Sequence, residues 1–164
     1  DKCPDFHYTP KEIYIELLKD VKFKEDEITL EPCIGRNNIL YDLIPYNKDW
    51  SEIELGRDFF NYNFKSKFDK IITNPPYRSN ETDAKLRKNI CWDFIKKCFD
   101  WIKDDGEIWL LINLKMLNSI TPKRLSELKG WNIDFIRILN IKKWYGRYYW
   151  ICFRNKETNI KYLL

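Results

Sequence analysis

This chain is short of the residues that build metal centres. It has one histidine, His7, and its five cysteines (Cys3, Cys33, Cys91, Cys98 and Cys152) include no Cys-x-x-Cys pair. Zinc sites need four ligands at paired spacings, so no metal is expected. An odd number of cysteines is not a disulfide framework and fits reduced thiols in a cytosolic protein. Long apolar runs are also missing. The longest, such as Ile108-Trp109-Leu110-Leu111-Ile112, is far too short to cross a bilayer. No apolar region resembling an export signal opens the chain, so the expected location is cytoplasmic, without a membrane partner. The first residue is Asp1, not Met, which is compatible with a segment upstream. There is no repeat, no low-complexity tract and no linker.

What is present favours a folded domain. The 164 residues are 44% hydrophobic and 16% aromatic, which is not a disordered composition. That length gives room for one core, so residues 1–164 are read as a single domain with no separate target-recognition domain. The net charge of +4 is compatible with nucleic acid without being diagnostic of it.

Strand and helix signals alternate along the chain. Thr9-Pro10 starts a helix through Asp20, with Thr9 as N-cap, Pro10 at the first helical position, and Ile13, Leu17 and Leu18 as its apolar face. Glu27–Leu30 reads as a strand, Asn38–Leu43 as a short helix and Trp50–Glu54 as a strand broken by Gly56. Asp58-Phe59-Phe60 reads as a further short strand, and Phe68–Thr73 as a buried one. Ala84–Lys103 is the longest helical pattern, and Asp104-Asp105-Gly106 is expected to end it before a strand at Glu107–Leu114. Thr121-Pro122 starts a short helix, and two strands close the chain, near Asn132–Ile141 and Arg147–Arg154. The order predicts an α/β fold: a mostly parallel sheet with a C-terminal antiparallel hairpin.

Chemistry concentrates where strands end. After Phe68–Thr73 comes Asn74-Pro75-Pro76-Tyr77, in which two prolines stop the strand and push Asn74 and Pro75 out of the helical region. The Asn74 amide and the Pro75 carbonyl are thereby held in fixed directions beside the Tyr77 ring, a setting suited to a planar group bearing an NH₂. Two other predicted strand ends are polar: Glu31-Pro32-Cys33-Ile34-Gly35, and Glu52 followed by Asp58. In an open α/β sheet, ligands bind at such carboxyl ends. Glu54 is an adjacent competitor for Glu52, Cys33 reads as a packing residue, and His7 reads as structural. The run Lys142-Lys143-Trp144-Tyr145-Gly146-Arg147 mixes cations and rings, which suits a nucleic-acid backbone as well as a solvated hairpin tip.

Taken in order, with Tyr8-Thr9-Pro10 upstream, these motifs resemble the class I S-adenosylmethionine-dependent methyltransferases, and among them the adenine-N6 DNA methyltransferases. The resemblance covers about residues 6 to 114 by motif and implies a Rossmann-like fold and S-adenosylmethionine as cofactor. It implies that Glu31 accepts from the cofactor's ammonium, that Gly35 admits its methionine part, and that Glu52 accepts from the ribose hydroxyls. It further implies that Asp58 accepts from the cofactor adenine's amino group, that Phe59 packs on that ring, and that Thr9 lies near the carboxylate. Asn74, Pro75 and Tyr77 are then the catalytic residues, with DNA a more expected substrate than RNA. A role in restriction-modification follows from the same resemblance. RNA adenine and protein glutamine methyltransferases share Asn-Pro-Pro-Tyr, and a non-catalytic nucleic-acid-binding subunit is a different class of reading.

Two departures from the family pattern stand out. Arg36-Asn37-Asn38 replaces the usual second glycine, and asparagine tolerates the left-handed geometry such a turn needs. Only five residues separate Glu52 from Asp58, so the helix that normally lies between their strands is absent. Target choice is expected to come from loops such as Arg78–Asp83 and the terminal hairpin, or from a protein partner.

Overall fold

The computed structural model describes residues 9–76, 90–140 and 147–160. Six strands form one sheet: β1 (Ile28–Glu31), β2 (Asn47–Trp50), β3 (Phe68–Thr73), β4 (Ile102–Asn113), β5 (Asn132–Leu139) and β6 (Tyr148–Arg154). Their order is β2-β1-β3-β4-β6-β5. The pairs from β2 to β4 are parallel, and β6 lies antiparallel between β4 and β5. This is the expected mostly parallel sheet with an antiparallel C-terminal pair.

Helices cover both faces, which explains why the central strands are almost continuously apolar. On one face lie α1 (Lys11–Leu18) and α2 (Ile39–Leu43), packed on Ile72, Trp109, Leu111, Trp150 and Cys152. On the other lie α3 (Ile90–Trp101), α4 (Leu114–Ser119) and α5 (Pro122–Ser126), over Ile108, Leu110, Ile112, Ile151 and Phe153. The alternation of Trp109 and Leu111 with Ile108, Leu110 and Ile112 is the period-2 pattern of a strand buried on both sides. α3 buries Cys91, Phe94, Ile95 and Cys98, at i, i+3, i+4 and i+7, one stripe of a helix. Each large side chain sealed there contributes about 1.5–3 kcal/mol.

Several expectations are corrected. The second strand is Asn47–Trp50, not Trp50–Glu54, because its ladder with β1 runs from Ile28↔Asn47 to Glu31↔Trp50. Residues Ile53–Leu55 instead form a 3₁₀ turn that leaves Glu52 just beyond the strand. Asp58-Phe59-Phe60 is a turn, not a strand. The Asp58 carboxylate accepts from Phe60 N–H at 3.1 Å and from Asn61 Nδ2 at 2.9 Å, and such local bonds compete with a ladder. Asp104-Asp105-Gly106 lies inside β4, which begins directly after α3. Pro10, not Thr9, occupies the α1 N-cap position, and no side chain caps that helix. α4 has no counterpart in the sequence reading; Asn113 starts it by accepting from Met116 N–H at 2.9 Å.

Candidate functional site

The C-terminal ends of β1, β2 and β3 converge on one edge of the sheet. β1 ends at Glu31 and is followed by a turn tied to the end of β2. Ser51 Oγ donates to the Pro32 carbonyl at 2.7 Å, and Ser51 N–H donates to the Glu31 carbonyl at 3.1 Å. Within that turn Gly35 has φ +66°, a left-handed conformation that strains any residue with a Cβ. A Cβ built on Gly35 would meet no atom within 4 Å, so the glycine opens onto free space. Asn38 takes φ +53°, the left-handed geometry expected of an asparagine in place of a glycine.

Glu31 is only 2% exposed, and its Oε2 has no hydrogen-bond partner among the described residues. Burial pushes its carboxyl well above the ordinary carboxylate range; the nearby Glu52 charge adds to this, and the Thr73 hydroxyl opposes it. An unpaired buried carboxyl is expensive unless a cation completes it. Glu52 is 9% exposed and reaches across to the β1 turn, where its Oε2 accepts from Gly35 N–H at 2.9 Å. Glu54, its sequence competitor, faces outward and pairs with Arg36 at 3.0 Å. The choice between the two is therefore made by orientation. Cys33 lies beside both acids, and desolvation with their charges drives its thiol pKa far upward, so it holds no nucleophilic thiolate at neutral pH.

Asn74 stands at the end of β3. Its Nδ2 donates to Thr9 Oγ1 at 3.3 Å and to the Tyr14 hydroxyl at 3.4 Å. Thr9 is buried, with its hydroxyl turned inward to the β3 end. Pro75 is buried behind Asn74, and the Cys91 thiol on α3 donates to the Pro76 carbonyl at 3.2 Å. Tyr77, His7, residues 78–83 and residues 141–146 lie outside the described residues, and with them the expected loop and hairpin tip.

The turn that follows β2 differs from expectation. Phe59 is 3% exposed and belongs to the core, with its ring centroid 4.9 Å from that of Phe94. The ring this turn exposes is Phe60, and Ile53 beside Glu52 is 63% exposed. Neither was singled out in the sequence, where nothing distinguishes an outward apolar residue from an inward one. Tyr14 was missed for a similar reason: it reads as one more apolar position on α1.

A cleft of about 350 Å³ lies at the opposite end of the sheet, lined by residues such as Glu27, Lys70, Glu107 and Arg154. Its central charges are mutually engaged: Lys70 with Glu27, and Arg154 with Glu107 and Asp134. It lies away from the strand ends that carry Glu31 and Asn74, and it reads as an ion-pair network closing the sheet.

The methyltransferase small domain family matches residues 50–128. In three dimensions, a putative class I S-adenosylmethionine-dependent methyltransferase from Listeria monocytogenes superposes with a TM-score of 0.64 at 16% identity, over 92% of this chain and 60% of that one. A methyltransferase from Pyrococcus furiosus gives 0.63 at 17% identity, over 96% of this chain and 88% of that one. The chain has the class I methyltransferase fold. That fold, with the family match, implies S-adenosylmethionine as cofactor, and the unpartnered Glu31 Oε2, the open space at Gly35 and the inward Glu52 fit that molecule's ammonium, methionine part and ribose. Among curated proteins, the Type II methyltransferase M.CvrRI of Paramecium bursaria Chlorella virus XZ-6E is 28% identical over 163 residues. That match takes in 83% of this chain but 43% of the relative. A modification subunit of a putative type I restriction enzyme from Vibrio vulnificus YJ016 shares the methyltransferase fold with a TM-score of 0.64 at 14% identity, over 92% of this chain and 45% of that one.

Proposed function

We propose that this domain transfers a methyl group from S-adenosylmethionine to the N6 amine of adenine in DNA. The observation that carries this reading is the Asn74 amide at the end of β3, with its nitrogen turned to two hydroxyl groups and its oxygen therefore on the other side of the planar group. An exocyclic amine is a poor nucleophile because its lone pair is delocalised into the ring. Accepting its two hydrogens, at Asn74 Oδ1 and the Pro75 carbonyl, favours the pyramidal form whose lone pair can attack. The bound cofactor supplies a methyl already activated on a sulfonium. Positioning and fixed dipoles then supply the catalysis.

Glu31 holds the ammonium, Glu52 the ribose, and Gly35 the close backbone approach; Ile53 and Phe60 offer apolar surface to the cofactor's adenine, with Asp58 as its acceptor. Tyr77 stacks on a base extruded from its helix, at a gain of about 1–3 kcal/mol. The viral type II relative supports DNA over RNA or protein. Its greater length is consistent with target recognition supplied by a partner or by other segments. Asn74→Ala should abolish methyl transfer and leave cofactor affinity within a fewfold of the parent. Radiolabelled methyl transfer to DNA, RNA and protein, alongside calorimetry with S-adenosylmethionine, tests this. Loss of cofactor binding by a folded Asn74→Ala protein would remove the assigned role.

A further inference from the structure

The two hydroxyl groups that meet Asn74 both come from the start of one helix. Tyr14 lies one turn into α1 and Thr9 just before it, and both are buried. The Asn74 Nδ2 group carries two hydrogens, and each hydroxyl takes one, at 3.3 Å and 3.4 Å. Tyr14 is sealed enough that desolvation raises its phenol pKa, so the group stays a neutral hydroxyl at physiological pH. Its ring packs in the core beside Leu17, Leu40 and Ile72, which fixes the position of the oxygen.

This arrangement fixes where the amide lies. A hydroxyl both donates and accepts, so the pair would hold either end of the amide; what it sets is the position and plane of the group. A side chain left free on a turn would sample other rotamers and carry the amide away from a target amine. We propose that Tyr14 and Thr9 are positioning residues that hold the Asn74 amide in place at the end of β3, making the start of α1 part of the methyl-transfer machinery. The proposal rests on the reading of Asn74 as the acceptor of an exocyclic amine. It gives Thr9 a role toward the reacting amine in place of the cofactor carboxylate.

The test has two arms. In the first, protein labelled with ¹⁵N-asparagine is examined by NMR, with the Asn74 side-chain signals assigned by their loss in Asn74→Asp. The two Nδ2 protons should exchange slowly with water, and Tyr14→Phe should speed the exchange of one of them about tenfold, the scale of one lost hydrogen bond. Unchanged Asn74 signals in Tyr14→Phe would overturn the clamp whatever the substrate proves to be. The second arm measures single-turnover methyl transfer to adenine-containing DNA by Tyr14→Phe and Thr9→Val. The rate should fall about tenfold in each, with the dissociation constant for S-adenosylmethionine and the melting temperature nearly unchanged. A rate within twofold of the parent, or a fall matched by equally weakened cofactor binding, would refute the positioning role. A parent protein that methylates no adenine would instead sink the substrate reading and leave the NMR arm to decide the clamp.

Discussion

Burial of Glu31 sets stability against binding at a single carboxyl group. Its folded pKa is raised by desolvation, so the native protein keeps a proton that the unfolded chain has already released. As pH rises from the ordinary carboxylate range through the raised folded value, the unfolded state binds fewer protons than the native one, and stability falls. Glu31→Gln removes that liability. Its melting temperature should exceed the parent's, with a gap that widens as pH rises across this window, as thermal scans at several pH values would register. The same change removes the charge that would meet the cofactor's ammonium. Affinity for S-adenosylmethionine should fall about ten- to a hundredfold, the scale of a charge-assisted hydrogen bond, and lose its pH dependence in this range. Calorimetry on both proteins checks this. A Glu31→Gln protein that binds the cofactor as tightly as the parent would show that the carboxyl serves the fold alone. At this scale the sequence was most legible in placing polar residues: Glu31, Glu52 and Asn74 stand at or just beyond the ends of β1, β2 and β3, as the prolines and glycine near them predict. Tyr14 and Phe60 could not be placed, because an aromatic residue does not announce which way it faces.

At the scale of elements, legibility followed length and burial. β3 and β4 were readable from dense β-branched and apolar runs, whereas β2 is a polar edge strand, Asn-Lys-Asp-Trp, set by pairing with β1. The start of β4 was misread because Asp104-Asp105-Gly106 has turn chemistry, and pairing with β3 overrides it through an irregular register between Phe68 and Lys70. Gly106 shows why this works. A Cβ there would stand 2.7 Å from the Asp69 carbonyl oxygen and 2.7 Å from Ile102 Cδ1. The two backbones approach too closely for a side chain. Gly106→Ala should therefore destabilise the protein by about 1–3 kcal/mol, the usual cost of overpacking. Denaturant unfolding measures it, with cofactor affinity per folded molecule unchanged because the site lies at the other end of the strands.

At the scale of the molecule, the sheet stops at β2. Between β2 and β3 the described chain makes one 3₁₀ turn, an isolated bridge from Glu52 to Arg57 and an Asp58 turn, with no further strand or helix. The cofactor's adenine would lie against this abbreviated edge, where Ile53 is open to solvent. Ligand binding to the native state alone stabilises it by mass action, about 2.7 kcal/mol at a hundred times the dissociation constant. S-adenosylmethionine at that excess should raise the melting temperature by several degrees, and Glu52→Ala should reduce the shift seen at the same concentration. A parent protein whose melting temperature ignores the cofactor would contradict the implied site.

The sequence by itself determined which polar residues stand at the strand ends and the α/β class. Prolines fix backbone directions locally, and the period of apolar residues follows from the geometry of strand and helix. Only the tertiary structure decided which acid of the pair Glu52 and Glu54 turns inward and which aromatic ring of the Asp58 turn stays in the core. It also decided that a tyrosine and a threonine at the start of α1 meet the Asn74 amide. Those outcomes depend on the packing of segments up to 65 residues apart, and no local pattern records where such segments meet.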